Sequence, residues 1–123
     1  MVKFDHMTLF VADPTRIADF YTRSFGFEIE MQPEGGAMIA IRDDADFTIF
    51  LVRDAERARG CGAVVLTLQV DAVEAKHAEL VAAGVAFVNA PQKLFWGYGA
   101  ELFDPDGYLL NLWDERTMRE KGG

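Results

Sequence analysis

Cysteine is almost absent. Cys61 is the single one in 123 residues, which excludes an intrachain disulfide framework and leaves a reducing cytosol as the default compartment. Lying among Arg57, Arg59, Gly60 and Gly62, it reads as an incidental loop thiol. Positive charge is also scarce: 12 Lys and Arg stand against 20 Asp and Glu, a formal net charge of −8. Such a surface repels phosphate backbones and attracts cations, so nucleic acid is excluded as the expected partner. No apolar run approaches the roughly 18 residues of a membrane span, and Met1 to His6 hold no signal-like apolar stretch. The expectation is a cytoplasmic protein without a membrane partner.

What is present suffices for a core. Half of the residues are hydrophobic and 12% are aromatic, in a length of one domain. Near the end of the chain, two apolar runs flank Asp104-Pro105-Asp106-Gly107. Proline presets φ at the second turn position, the aspartate can bond its own backbone, and glycine tolerates φ > 0, so a hairpin is predicted. Past it, Leu109, Asn111 and Trp113 share one strand face.

From the start, Phe4 to Val11 alternates as a strand does. Asp13-Pro14 opens a helix that Gly26 closes. Phe27 to Met31, Ala37 to Ile41 and Phe47 to Val52 follow as strands between turn-rich segments. The polar stretch 53–62 is a linker in which Asp54 to Arg59 has the composition of a helical turn. The pattern then repeats. Val64 to Val70 is a strand, Asp71 with Glu74 spells a capping box, and Gly84 ends a second helix. Val85 to Asn89, Ala100 to Phe103 and Tyr108 to Trp113 complete the module. An offset of roughly 58 or 59 residues relates the halves. The fold class predicted is α+β, with two tandem βαβββ modules at 1–52 and 63–114 and a tail at 115–123, Lys121 to Gly123 being its disordered end.

These modules, His6 in the first strand, Phe20-Tyr21 followed by Phe25-Gly26-Phe27, and the Asp104-Pro105-Asp106-Gly107 hairpin together resemble the vicinal oxygen chelate superfamily. That group includes glyoxalase I, extradiol dioxygenases, fosfomycin-resistance enzymes and bleomycin-resistance proteins. The resemblance spans Phe4 to Trp113 and implies curled mixed sheets that form half-cups around a cavity, often across a homodimer interface. It also implies one metal ligand from each of four strands, at the positions of His6, Phe50, Val65 and Asn111. Only His6 is a competent ligand there, since two of the others lack a lone pair and a neutral amide is a poor donor for Zn²⁺, Ni²⁺ or Fe²⁺. The expectation is therefore no metal and no cofactor, as in the bleomycin-resistance branch, whose members sequester a cationic planar drug.

On that frame the cup is lined by His6, Thr8, Thr48, Phe50, Val52, Val65, Thr67, Gln69, Leu109, Asn111 and Trp113. Trp96 and Tyr98 are expected on a glycine-hinged loop at its rim. Apolar walls with a few hydrogen-bonding groups suit a small organic molecule, and aromatic rings can stack on a planar ligand or hold a cation. Three readings stand side by side. One is a metal-independent binding protein for an aromatic or cationic amphipathic ligand, such as an antibiotic, acting as a homodimer. The second is a lyase, isomerase or transferase with His6 as general base, or with an unconventional metal site built from His6 and Glu28, Glu30 or Glu101. The third is a regulatory module whose aromatics fill the cup. Asn111 either orients a ligand or bonds to His6 or a neighbouring strand, and His77 is read as a solvated helix residue with a partly buried edge.

Overall fold

In the computed structural model, which describes residues 1–123, the chain forms two compact units, Met1–Cys61 and Gly62–Gly123. The first contains β1 (His6–Val11), α1 (Pro14–Phe25), β2 (Glu28–Met31), β3 (Met38–Arg42), β4 (Thr48–Arg53) and the short α2 (Ala55–Ala58). A 3-10 turn at Arg59–Ala63 precedes β5 (Val65–Gln69), α3 (Val73–Ala82), β6 (Asn89–Leu94), β7 (Gly97–Phe103), β8 (Leu109–Trp113) and α4 (Glu115–Lys121). Each unit holds an open four-stranded mixed sheet, ordered β1-β4-β3-β2 and β5-β8-β7-β6. The first strand of each module pairs in parallel with its last: His6 lies opposite Thr48, and Val65 opposite Leu109. The two βαβββ modules are thus present.

Alternation decides the faces. Leu9, Val11, Ile39, Ile41, Ile49 and Leu51 of the first sheet are buried, and α1 covers that side with Ile17, Ala18 and Tyr21. Asp13 caps α1 through Thr15, and Gly26 closes it at φ 72°. In the second sheet Leu66, Ala100, Leu102, Leu110 and Leu112 make the equivalent buried face, and α3 and α4 pack on β7. Burying the four leucines among them contributes on the order of 6–12 kcal/mol before chain entropy is counted. The opposite faces of both sheets carry the mixed polar and aromatic residues.

The Asp104 turn forms as expected. Its carboxylate accepts from the amides of Asp106 and Tyr108, its amide donates to the Tyr108 carbonyl, and Gly107 has φ 97°.

Several expectations need correction. Residues 85–88 are not a strand; pairing begins at Asn89 and runs to Leu94, because Val85 closes the end of α3 by donating to the Leu80 carbonyl. β7 begins at Gly97 rather than Ala100, so Tyr98 and Gly99 lie in a strand and not on a mobile loop. The expected capping box does not form. Ala72 is the N-cap of α3 and makes no side-chain cap; Asp114, 41 residues on, accepts from the Val73 amide at 2.7 Å instead. Glu74 is diverted to Tyr98 and Lys121. Finally, 115–123 is largely the helix α4, capped by Asp114 through Thr117 at 2.7 Å. Its end is pinned where Lys93 Nζ donates to the Gly122 and Gly123 carbonyls.

Candidate ligand-binding site

The open face of the second sheet is built in three rows. Val65, Leu109 and Phe103 lie side by side across β5, β8 and β7, with Val65 and Phe103 half exposed at 51% and 53%. The next row is Thr67, Asn111, Glu101 and Asn89, one residue from each strand. The third places Gln69 beside Trp113, with Gly99 and Gln92 paired on the other side. Trp96, in the β6–β7 turn, folds over Gly99, where any Cβ would run into its ring and into the Leu112 carbonyl. The indole N–H of Trp96 donates to Glu101 at 3.4 Å, a long contact that leaves most of the carboxylate's acceptor capacity available.

Asn111 is distinctive within this face. It is only 8% exposed, and its side-chain oxygen has no hydrogen-bond partner. Leaving a buried amide oxygen unpaired costs about 1–3 kcal/mol, so a residue of this kind calls for an explanation other than stability.

The first sheet's open face is organised differently. His6 stacks on Phe50 with ring centroids 4.4 Å apart, and its Nδ1 lies 2.9 Å from Asp5. That hydrogen bond, with the imidazole's charge, holds the Asp5 carboxyl below the ordinary aspartate range. Thr8 sits opposite Phe50 and is exposed. Thr48 donates to Glu30 at 2.7 Å, and Arg42 pairs with Glu28 at 3.0 Å. Its polar groups are largely matched to one another.

Tyr98 stands on the helix-covered side of β7. Its hydroxyl donates to Glu74 at 2.8 Å, and the Lys121 ammonium lies 5.1 Å from its ring centroid. The bond to Glu74 raises the tyrosine's pKa and lowers that of the glutamate, tying α3, β7 and α4 together. The structure therefore joins Val65, Thr67, Gln69, Trp96, Asn111 and Trp113 on one face and His6, Thr8, Thr48 and Phe50 on another, and sets Tyr98 apart. Glu101, named from sequence only as a possible metal partner, proves to lie next to Asn111. Its strand alternation with Leu102 was the available signal. His77 packs edge-on against Phe87 at 4.6 Å, which accounts for its half-buried position.

The superfamily's metal does not fit this donor set. Of the four positions that the resemblance implies as ligands only His6 can coordinate well, and that ring is stacked on Phe50. No three His, Cys, Asp or Glu side chains converge on a metal-sized site, and Glu28 and Glu30 are engaged by Arg42 and Thr48.

A family model described as the Glyoxalase/Bleomycin resistance protein/Dioxygenase superfamily matches residues 3–112. The chain belongs to this superfamily. No curated protein matches it. Among solved structures it is similar to TnmS3, an antibiotic binding protein from Streptomyces sp. CB03234. Identity is 28%, TM-score 0.74, with 92% of this chain and 96% of that one covered. The hypothetical protein SA1046 from S. aureus is 25% identical, with a TM-score of 0.69 and coverage of 91% and 93%. A possible glyoxalase from Bacillus cereus shares the fold at 18% identity and TM-score 0.74, over 91% of this chain and 98% of that one. No helix of the chain is long and apolar enough to cross a membrane.

Proposed function

We propose that this superfamily member is a metal-independent binding protein that sequesters an aromatic small molecule, of the kind represented by antibiotics, on the open face of its second sheet. One observation carries the reading: Trp96 and Trp113 both border, on the same side, a row containing Thr67, Asn111 and Glu101, and the metal-ligand positions that the resemblance implies on this sheet are occupied by Val65 and Asn111. Two indoles supply stacking surface at little entropic cost, and a few polar groups fix orientation. The 28% identity to an antibiotic binding protein supports the same reading. His6, Thr8, Thr48 and Phe50 form a second ligand-contacting surface, and the working assembly is a homodimer, which sedimentation equilibrium checks.

Binding is tested by calorimetric titration of a library of planar aromatic compounds, antibiotics included, against protein stripped with chelator. Micromolar hits that survive chelator and weaken about tenfold or more in Trp113→Ala, with an unchanged melt, are expected. Hits that require added divalent metal, or unchanged affinity in both Trp96→Ala and Trp113→Ala, would overturn the reading.

A further inference from the structure

The sulfur of Met118 occupies a space left by two glycines. Gly97 adopts φ 137°, and a Cβ built there would run into Met118 Sδ and Cε, as one built at Gly122 would run into the same sulfur. The last β7–β8 pair is Ala100 with Leu112, and beyond it the Tyr98 amide donates to Met118 Sδ at 3.4 Å. A thioether thus serves as the acceptor where β8 no longer reaches. Met118 fastens α4 to the start of β7, one residue after Trp96, whose ring lies over Gly99. The other ties at this end of α4, from Lys121 to Glu74 and from Lys93 to the Gly122 and Gly123 carbonyls, are exposed and hold it weakly. Met118 itself is half-buried, so solvent meets part of it.

We propose that Met118 is an oxidation site for hydroperoxides, through which α4 sets the seating of Trp96. The sulfur lone pair attacks one hydroperoxide oxygen, the O–O bond breaks and an S–O bond forms. The other oxygen departs with the proton as water or an alcohol, and the thioether becomes a bulkier, polar sulfoxide. With Gly97 and Gly122 already packed on the sulfur, the added oxygen parts α4 from β7 and releases the turn that carries Trp96. Its consequence for binding rests on the second-sheet face being the ligand surface; the oxidation and the movement of Trp96 do not.

Trp96 and Trp113 are the two tryptophans of the chain, so Trp113→Phe leaves Trp96 as the only indole reporter. That protein is exposed to hydrogen peroxide over a time course followed by peptide mass spectrometry, fluorescence emission and thermal melts. Emission should move to the red and the melt should fall by about 5 °C. Both changes should track the sulfoxide of Met118 rather than that of Met1 or Met31, which are more open to solvent. Adding Met118→Leu keeps the volume, Cys61 and the other methionines, and should abolish both changes; should that variant not fold, the time course decides alone. Met118 left intact while Met1 and Met31 react overturns the site. Met118 sulfoxide with unmoved emission overturns the link to Trp96. A higher melt means that the sulfoxide oxygen accepts the Tyr98 amide and tightens α4, which overturns the release, and a red shift that persists in Met118→Leu overturns the assignment. No ligand enters these measurements, so their failure is distinct from failure of the binding reading.

Discussion

The two modules of this chain solve the same backbone problem with different side chains, and the differences separate scaffold from site. Both end their third strand in an aspartate-centred turn. Asp43 accepts from the amides of Ala45 and Phe47 as Asp104 does from those of Asp106 and Tyr108. The left-handed position is Asp46 at φ 65° in the first module and Gly107 at φ 97° in the second. Both follow the last strand with an aspartate that caps a helix, Asp54 for α2 and Asp114 for α4. Only Asp114 also reaches the far helix of its module, through Val73. On the open faces the contrast is sharper. The first module matches Arg42 with Glu28 and Thr48 with Glu30, whereas the second leaves Asn111 unmatched between Thr67 and Glu101. On the first face these polar groups satisfy one another, whereas on the second a buried amide oxygen is left without a partner.

The largest expected break in the parallel is at the caps. Asp114 is 1% exposed and holds two helix starts, so Asp114→Ala should cost about 3 kcal/mol in urea unfolding, against about 1 kcal/mol for Asp54→Ala. Equal losses would mean that the bond to Val73 adds nothing.

The same carboxylate gives a pH signature. Burial opposes its charged form, but the backbone N–H donors of Val73 and Thr117 outweigh this and hold its pKa below the usual value. A depressed folded-state pKa contributes stability that is fully present above the unfolded value of about 3.9 and is lost as pH falls through the folded value. Stability measured from neutrality down to acid should therefore fall less steeply below about pH 4 in Asp114→Ala than in the natural protein. Identical slopes would remove Asp114 from the acid response.

The smallest effects come from the turns. Gly107→Ala should destabilise by about 1–2 kcal/mol, because a Cβ is disfavoured at positive φ, while Asp46→Gly should stabilise by up to about 1 kcal/mol. Thermal melts of the two variants would move in opposite directions; the same direction in both would show that Asp46 gains more from its side chain than it loses in strain.

Much of the scaffold was legible because it is local. Asp13-Pro14, Gly26 and Asp104-Pro105-Asp106-Gly107 each specify backbone geometry within a few residues, and period-2 alternation placed Thr67, Asn111 and Trp113 on their faces. The misreadings share one cause. Asp71 and Glu74 have the spacing of a local cap, yet a buried carboxylate from the other end of the module captures the Val73 amide. Glu74 is then available to Tyr98 and Lys121. Pro91 and two glycines suggested a loop around Tyr98, but pairing with β6 and β8 organises Gly97 to Phe103 as a strand.

The sequence by itself determined the βαβββ repeat and its turns, since periodicity and φ preference are properties of residues taken a few at a time. Tertiary structure alone decided that Glu101 stands beside Asn111, that Trp96 covers Gly99, that Tyr98 faces the helices and that Asp114 caps α3. Each of these depends on which strand or helix lies alongside which, and strand register and long-range hydrogen bonds are set by the packing of the whole module.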